Sequence, residues 1–352
     1  MTNYVICFVM SAITTYFTTI LAIKIANKLS FYDIPKKRNM HQIPVPMLGG
    51  LALLVSIILN TWMFSSTQGS LFIVGIMGAI CICGIGLVDD KYTLHPFVKV
   101  GLQMVLITFL YTKGVRVDFL TFPSNATALF LSPWVSFVAT QVWMITIINM
   151  FNIIDGIDGL AVGISIVTAV ILCLVSVAVS PIFVTFLLIA MAGSCTSFLK
   201  FNFYPAKIFL GDSGSLLLGF LFAFVSVVGV MKSTISCLIL VFVFAIPLMD
   251  LLLSVLRRIL KRRHIFYPDL EHIHHQLVRR GVSVPKAVLS LYALSGFFGG
   301  IAVISSVDSH VVKVLVGVSM FVGVFVYFSY LQRSFKRFGG SQRVGDSVSQ
   351  DT

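Results

Sequence analysis

The sequence predicts an all-α fold, a polytopic membrane bundle of about eleven helices with a periplasmic N-terminus and a cytoplasmic C-terminus. Three observations carry that expectation. Hydrophobic residues make up 58% of the 352-residue chain and charged residues only 11%, with a mean hydropathy of +1.00. A soluble domain carries about 25% charged residues, so a water-facing globule is excluded. Apolar runs of about 20 residues recur, the length that crosses a hydrocarbon core. They are continuous rather than alternating, so helices fit where a barrel does not.

The runs place helices at 4–26, 47–65, 70–88, 97–113, 134–152, 160–179, 182–199, 214–230, 235–254, 288–306 and 311–331. The first opens on Met1-Thr2-Asn3-Tyr4, with no positive n-region and no small-residue cleavage site. It reads as a permanent helix rather than a removable signal. Residues 1–338 form one membrane domain, and 339–352, which lack an apolar face, are expected to be a disordered cytoplasmic tail. Cys7, Cys81, Cys83, Cys173, Cys195 and Cys237 all lie in apolar runs. Cys81 and Cys83, two apart, point to different faces of one helix, and the set reads as packing residues rather than a disulfide framework. Gly84 and Gly86 in the third span read as helix packing.

Charge sets the orientation. The first linker carries Lys28, Lys36, Lys37 and Arg38, and the long linker before residue 288 carries Arg257, Arg258, Lys261, Arg262, Arg263, Arg279, Arg280 and Lys286. Of the 25 basic residues, only Lys113, Arg116, Lys232 and Lys313 fall in linkers expected outside, which leaves 21 within. The acids follow the bases: Asp33, Asp89, Asp90, Asp155, Asp158, Asp212, Asp250, Asp269 and Glu271 lie at inner ends or in inner loops. Carboxylates beside a membrane are costly unless paired, hydrated or metal-bound, and they mark function. Here they can converge on one pocket.

Four motifs carry the chemistry. Gly86-Leu87-Val88-Asp89-Asp90-Lys91 ends the third span, with Lys99 ten positions after Asp89. Paired carboxylates near a lysine suit a cation-assisted phosphate site; a hydrated helix end is the plainer reading. Asn149-Met150-Phe151-Asn152-Ile153-Ile154-Asp155-Gly156-Ile157-Asp158-Gly159 repeats Asp-Gly after three residues, where a simple turn needs it once. Phe209-Leu210-Gly211-Asp212-Ser213-Gly214 opens a helix whose free amides and dipole favour phosphate, with Asp212 for a cation or as a cap. His272-Ile273-His274-His275 lies in the basic linker. Three histidines also suit zinc, but the neighbouring arginines favour an anion.

In this order the motifs resemble the polyprenyl-phosphate N-acetylhexosamine-1-phosphate transferases, closest to their WecA-like branch, over residues of about 30–280. The early loop joins the match as Asp33-Ile34-Pro35 and Pro44-Val45-Pro46-Met47-Leu48-Gly49-Gly50; Asn39 and Met47 stand where relatives carry bases, so no phosphate role is carried onto them. The resemblance implies that Asp212 is the metal ligand, for Mg2+ with Mn2+ able to substitute. It implies that Asp89, as base, and Asp90 handle the lipid phosphate with Lys99, and that Asn152 and Asp155 lie near the pyrophosphate. Phe209 would stack on uracil, with Asn202 and Asp158 holding the uridine. His272, His274, His275, Arg257 and Arg258 would hold the sugar nucleotide, and Asp250 matches a family position whose evident partner is Arg257.

The implied reaction moves N-acetylglucosamine 1-phosphate from UDP-GlcNAc to undecaprenyl phosphate, initiating a cell-surface glycan of O-antigen, enterobacterial common antigen or teichoic acid type. The place implied is a bacterial inner membrane, with the site facing the cytoplasm. Membrane lipids and a second copy of the chain complete the partners; nucleic acid is not among them. Another UDP-N-acetylhexosamine or UDP-MurNAc-pentapeptide would use the same chemistry. An ion-coupled transporter would carry its ionisable groups near the midplane of repeated halves, a pattern absent from this sequence. The orientation has a direct test. Single cysteines introduced as Asp90→Cys, Asp158→Cys and Asp212→Cys should react only with reagent on the cytoplasmic side, and Ser124→Cys only from outside; the reverse pattern overturns it.

Overall fold

A computed structural model describes residues 2–33, 44–65, 69–121, 128–176, 180–229, 237–260 and 272–305. Twelve helices occur among them: α1 (Thr2–Leu29), α2 (Gly49–Phe64), α3 (Ser70–Tyr92), α4 (Pro96–Thr112), α5 (Pro133–Ile154), α6 (Leu160–Ser176), α7 (Ile182–Asn202), α8 (Gly211–Val228), α9 (Cys237–Val243), α10 (Ala245–Leu260), α11 (Ile273–Arg279) and α12 (Val284–Ser305). By length and composition α1, α3, α5, α7, α8 and α12 can each cross a membrane, and α2, α4 and α6 are shorter apolar helices. The all-α expectation holds. The eleventh expected span, 311–331, and the tail lie outside the described residues.

Two features depart from the expected spans. The ninth, 235–254, is two helices parted at Phe244. Proline explains the break: Pro247 has no N–H for the carbonyl of Val243, and its ring crowds that carbonyl. The loops also hold short antiparallel ribbons. β1 (Tyr32–Asp33) pairs with β2 (Val45–Pro46). At the opposite end β3 (Phe119–Thr121) pairs with β4 (Ala128–Phe130). Pieces of two or three residues leave no periodic signal in a sequence.

Lipid is as apolar as leucine, so close packing of small residues and hydroxyl bonds adds to the apolar core in joining the helices. On α1 the small residues Cys7, Ser11, Thr15, Thr19, Ala22 and Ala26 face inward at steps of three or four residues, while Val9, Phe17 and Leu21 are exposed. Thr15 Oγ1 donates to Ser56 Oγ of α2 at 2.7 Å, and Ser56 Oγ lies 3.0 Å from Ser194 Oγ of α7. Three helices thus meet on hydroxyls, which bond across an interface where leucines gain little. Cys81 is exposed and Cys83 buried, as the two-residue spacing requires.

The centre of the bundle is α8. From Ser213 to Val228 every residue is buried, and a helix apolar all round belongs in a core. Phe222 stacks on Phe151 of α5 at a centroid distance of 4.9 Å. On the α3 side, a Cβ on Gly86 would lie 2.4 Å from Ser213 Cα and 2.5 Å from Ser213 N, so only glycine lets the two backbones touch. Gly84 meets nothing within 4 Å. The two therefore part company in a test. Gly86→Ala should lower the thermal midpoint, with a cost of about 1–3 kcal/mol for overpacking, whereas Gly84→Ala should leave it unchanged or raise it. Equal effects would remove the close approach from the account.

Candidate active site

The four motifs meet at one end of the bundle because helix ends bring them there. Asp89 and Asp90 close α3, Lys99 lies in the first turn of α4, and Asn152 lies in the last turn of α5. Asp212 lies in the first turn of α8. Pro96 at the start of α4 needs no N–H there and sets the helical φ that aims Lys99.

Lys99 joins three of the motifs. Its Nζ stands 2.6 Å from Asp89 Oδ2 and 2.9 Å from Asp212 Oδ2, and it donates to Asn152 Oδ1 at 2.9 Å. Asn152 Nδ2 donates in turn to Asp212 Oδ1 at 2.7 Å and to Ser215 Oγ at 2.9 Å. Asp89 is buried, its second oxygen taken by the Leu94 amide at 2.7 Å. The Asp212 side chain keeps 35% of its surface open. Of the two acids on Lys99, Asp212 is therefore the one a ligand can reach.

Asp90 has a task that the sequence did not reveal. Its Oδ1 accepts the Asp212 amide at 2.7 Å and its Oδ2 the Ser213 amide at 3.1 Å. The N-terminus of α8, expected to offer free amides to phosphate, already holds an anion from α3. Gly211 makes room: its φ is +72°, and a Cβ there would stand 2.8 Å from Asp90 Oδ2. The early loop braces the same helix start, since Phe209 N donates to Pro46 O at 2.8 Å and Gly49 N to Phe209 O at 3.1 Å.

The double Asp-Gly turn splits its two acids. Asp158 Oδ2 accepts the Ala206 amide at 2.9 Å. Asn202 is buried, accepting from Gly159 N at 3.2 Å and donating to Ile208 O at 3.0 Å. Both residues, expected on the uridine, tie loops together with these atoms. Asp155 is different: among the described residues no hydrogen bond or ion pair reaches it. Burial first, then the charges of Asp212, Asp90 and Asp158, push its carboxyl well above the usual carboxylate range, although part of its surface meets solvent.

The histidine segment forms the far wall. Asp250 of α10 takes the Ile273 amide at 3.0 Å on one oxygen and His272 Nδ1 at 3.1 Å on the other. The expected Asp250–Arg257 pairing gives way to this one, since Asp250 caps α11 from a neighbouring helix. His274 is buried, and among the described residues its Nε2 has no hydrogen-bond partner. That nitrogen lies 2.2 Å from where a Cβ on Gly156 would stand. Arg257, Arg258 and His275 are half-buried.

The acids fit a hard cation without caging one. Among the described residues no three His, Cys, Asp or Glu side chains are grouped to hold a metal. Yet Asp212, Asp90 and Asp155 crowd together, and Lys99 is the only base paired among them in the described residues. Oxygen donors with surplus negative charge suit Mg2+, which takes one or two carboxylates and completes its shell with phosphate and water.

His274 gives the folded state a dependence on acid. Burial, then the charges of His275 and His272, push its imidazole down to about 3, with Asp250 opposing. The unfolded chain therefore binds this proton from about pH 6.5 downward while the folded chain refuses it. Stability is lost as pH falls through that window. The thermal midpoint should drop between pH 6.5 and 4.5, and His274→Leu should flatten that slope; an unchanged slope would place the acid sensitivity elsewhere.

Residues 72–230 match the model of glycosyl transferase family 4. The chain is 33% identical over 309 residues to the "Probable undecaprenyl-phosphate N-acetylglucosaminyl 1-phosphate transferase" of Bacillus subtilis, covering 86% of this chain and 85% of that one. It is 32% identical to the decaprenyl-phosphate N-acetylglucosaminephosphotransferase of Mycobacterium tuberculosis, over 92% of this chain and 88% of the relative. The undecaprenyl-phosphate alpha-N-acetylglucosaminyl 1-phosphate transferase of Escherichia coli K12 is 26% identical over 91% and 89%. Similarity over nearly the whole length, joined to a bundle whose motifs meet on one lysine, makes this chain a multi-pass membrane member of glycosyl transferase family 4, alongside these polyprenyl-phosphate sugar-1-phosphate transferases.

Proposed function

We propose that this chain transfers N-acetylglucosamine 1-phosphate from UDP-GlcNAc to undecaprenyl phosphate in a bacterial inner membrane, releasing UMP, from a site that faces the cytoplasm. The observation that carries the reading is the Lys99 bridge, one cation held by Asp89, Asn152 and Asp212 at the end of a membrane bundle. The names of the relatives supply the substrate class: a polyprenyl phosphate and an N-acetylglucosamine phosphate.

In the reaction an oxygen of the lipid phosphate attacks the phosphorus that carries the sugar. The bond from that phosphorus to the bridging oxygen breaks, and UMP leaves with the electron pair. The lipid phosphate is already largely ionised near neutrality, so deprotonation by Asp89 supplies little. Alignment of two anions supplies more. Lys99 gives the phosphates a fixed positive charge, and Asp89 keeps that charge in place from its buried side. Mg2+, or Mn2+ in its stead, would be held at Asp212 with Asp155 beside it, and when bound would neutralise charge on the pyrophosphate and on departing UMP. Asp90 serves by fixing Asp212 on the turn that it caps.

Phe209 is half-buried, with its backbone pinned against Pro46 and Gly49, and offers a ring for uracil. Asn202 and Asp158 shape that pocket through the 202–208 loop, Asn202 by donating to the Ile208 carbonyl and Asp158 by accepting the Ala206 amide. His274, neutral, and His275 with Arg257 and Arg258 border the sugar-nucleotide side.

Purified protein given UDP-GlcNAc, undecaprenyl phosphate and Mg2+ should release UMP and form a lipid-linked sugar. Asp212→Asn should reduce kcat/KM on the order of a hundredfold or more while the protein stays folded. No UMP from the wild type, or a clear preference for UDP-MurNAc-pentapeptide, refutes the substrate assignment. Near-normal turnover in the variant with unchanged Mg2+ dependence removes the metal from Asp212.

A further inference from the structure

The two glycines of the double Asp-Gly turn are each met by a side chain from the C-terminal part of the chain. His274 of α11 lies against Gly156. Tyr292 of α12 reaches the other end of the turn, where its hydroxyl donates to the Gly159 carbonyl at 2.5 Å. That carbonyl also accepts the Gly163 amide at 2.9 Å, the first hydrogen bond of α6. Gly159 has a φ of +80°, and its amide is held by Asn202. Its peptide groups are thus pinned on both sides, by α7 through Asn202 and by α12 through Tyr292.

The tyrosine ring is seated rather than merely near. A Cβ on Gly163 would stand 1.8 Å from Tyr292 Cζ and 2.0 Å from its oxygen, so the ring fills the notch that this glycine leaves in α6. Farther along the same pair of helices the fit is reversed. A Cβ on Gly299 of α12 would stand 1.8 Å from Ile171 Cδ1 of α6. One knob from each helix enters a notch in the other, which fixes their register against sliding. Packing of that kind would need no hydroxyl. The hydroxyl is nevertheless there, at the inner end of the helix, on the one carbonyl that follows Asp158.

We infer that Tyr292 is a positioning residue for the Asp155–Gly159 turn, acting through the Gly159 carbonyl to hold Asp155 toward Asp212. The inference rests on the proposed transferase reading for its kinetic consequence, but not for its structural one. Asp155 has no hydrogen bond of its own among the described residues, so its place is set entirely by the backbone that carries it. A backbone displacement of about 1 Å at a reacting group can cost a hundredfold in rate. Tyr292 touches neither the proposed metal ligand nor Lys99.

Tyr292→Phe deletes one oxygen and keeps the ring in its notch. Two readouts on the purified full-length protein test it. Hydrogen–deuterium exchange over 155–163 should quicken about tenfold, the scale of one lost hydrogen bond, with the rest of α12 and the thermal midpoint unchanged. With UDP-GlcNAc and undecaprenyl phosphate, kcat should fall about tenfold while the KM for undecaprenyl phosphate stays within about twofold. Gly163→Ala, which unseats the ring, should quicken the same segment. Unchanged exchange at 155–163 overturns the inference whatever the activity, as does a wild-type kcat. Exchange that quickens along all of α12 with a lowered midpoint also overturns it, since the hydroxyl would then serve packing alone. A wild type that yields no UMP defeats the transferase reading instead, and the exchange data still decide whether Tyr292 holds the turn.

Discussion

The reactive end of the protein depends on a carboxylate from one helix closing the start of another. Asp90, at the end of α3, takes two amides of α8. A helix start buried in a membrane bundle must have such partners, since lipid offers none. With those amides satisfied, α8 can stand at the centre of the bundle and still present Asp212 at its rim. The same contact sets the separation between Asp212 and the neighbouring Asp89, and so the span that Lys99 has to bridge. Gly86 and Gly211 serve this arrangement from both sides, one by letting the helices touch and the other by leaving space for the carboxylate.

The surrounding acids divide by how they are held. Asp89, Asp90, Asp158 and Asp250 each accept backbone amides, which lock them in place and occupy their oxygens. Asp212 is bound by side chains that substrate can rearrange, and Asp155 by none among the described residues. A site for two anionic substrates gains from this division. Fixed carboxylates build the frame, while the crowded and less satisfied ones keep a local deficit of positive charge that an incoming cation can fill.

Much of this was legible in the sequence. Among the described residues, apolar length located every expected span but the ninth within a few residues, because the membrane sets that length and tolerates few alternatives. The convergence of Asp89, Asn152 and Asp212 followed from all three lying at span ends expected on the same face, the ends of the third and fifth and the start of the eighth. What stayed hidden was of two kinds. Backbone hydrogen bonds have no residue signature, so nothing in the letters said that Asp90 would cap α8, or that Asn202 would tie Gly159 to Ile208. Partner choice among several arginines and histidines is equally silent. Asp250 pairs with His272 and the Ile273 amide, groups 22 and 23 residues away, so the packing of α10 against α11 decides the partner and the letters do not. For the break in the ninth span, Pro247 was the available signal, lying inside it.

The envelopment of α8 bears on how the protein is made. Its side chains touch neither water nor lipid from Ser213 to Val228, yet its partners α2, α3 and α5 all leave the ribosome before it does. Those earlier helices reach their final packing only once this 18-residue cylinder fills the slot between them. Large phenylalanines at 220, 222 and 224 leave that slot wide. Until α8 enters, Asp90 has no amides to bind and Lys99 lacks one of its two acids. The working end is therefore assembled late in synthesis, and chains truncated before Gly211 would carry two of the four motifs without forming any part of a site that depends on α8.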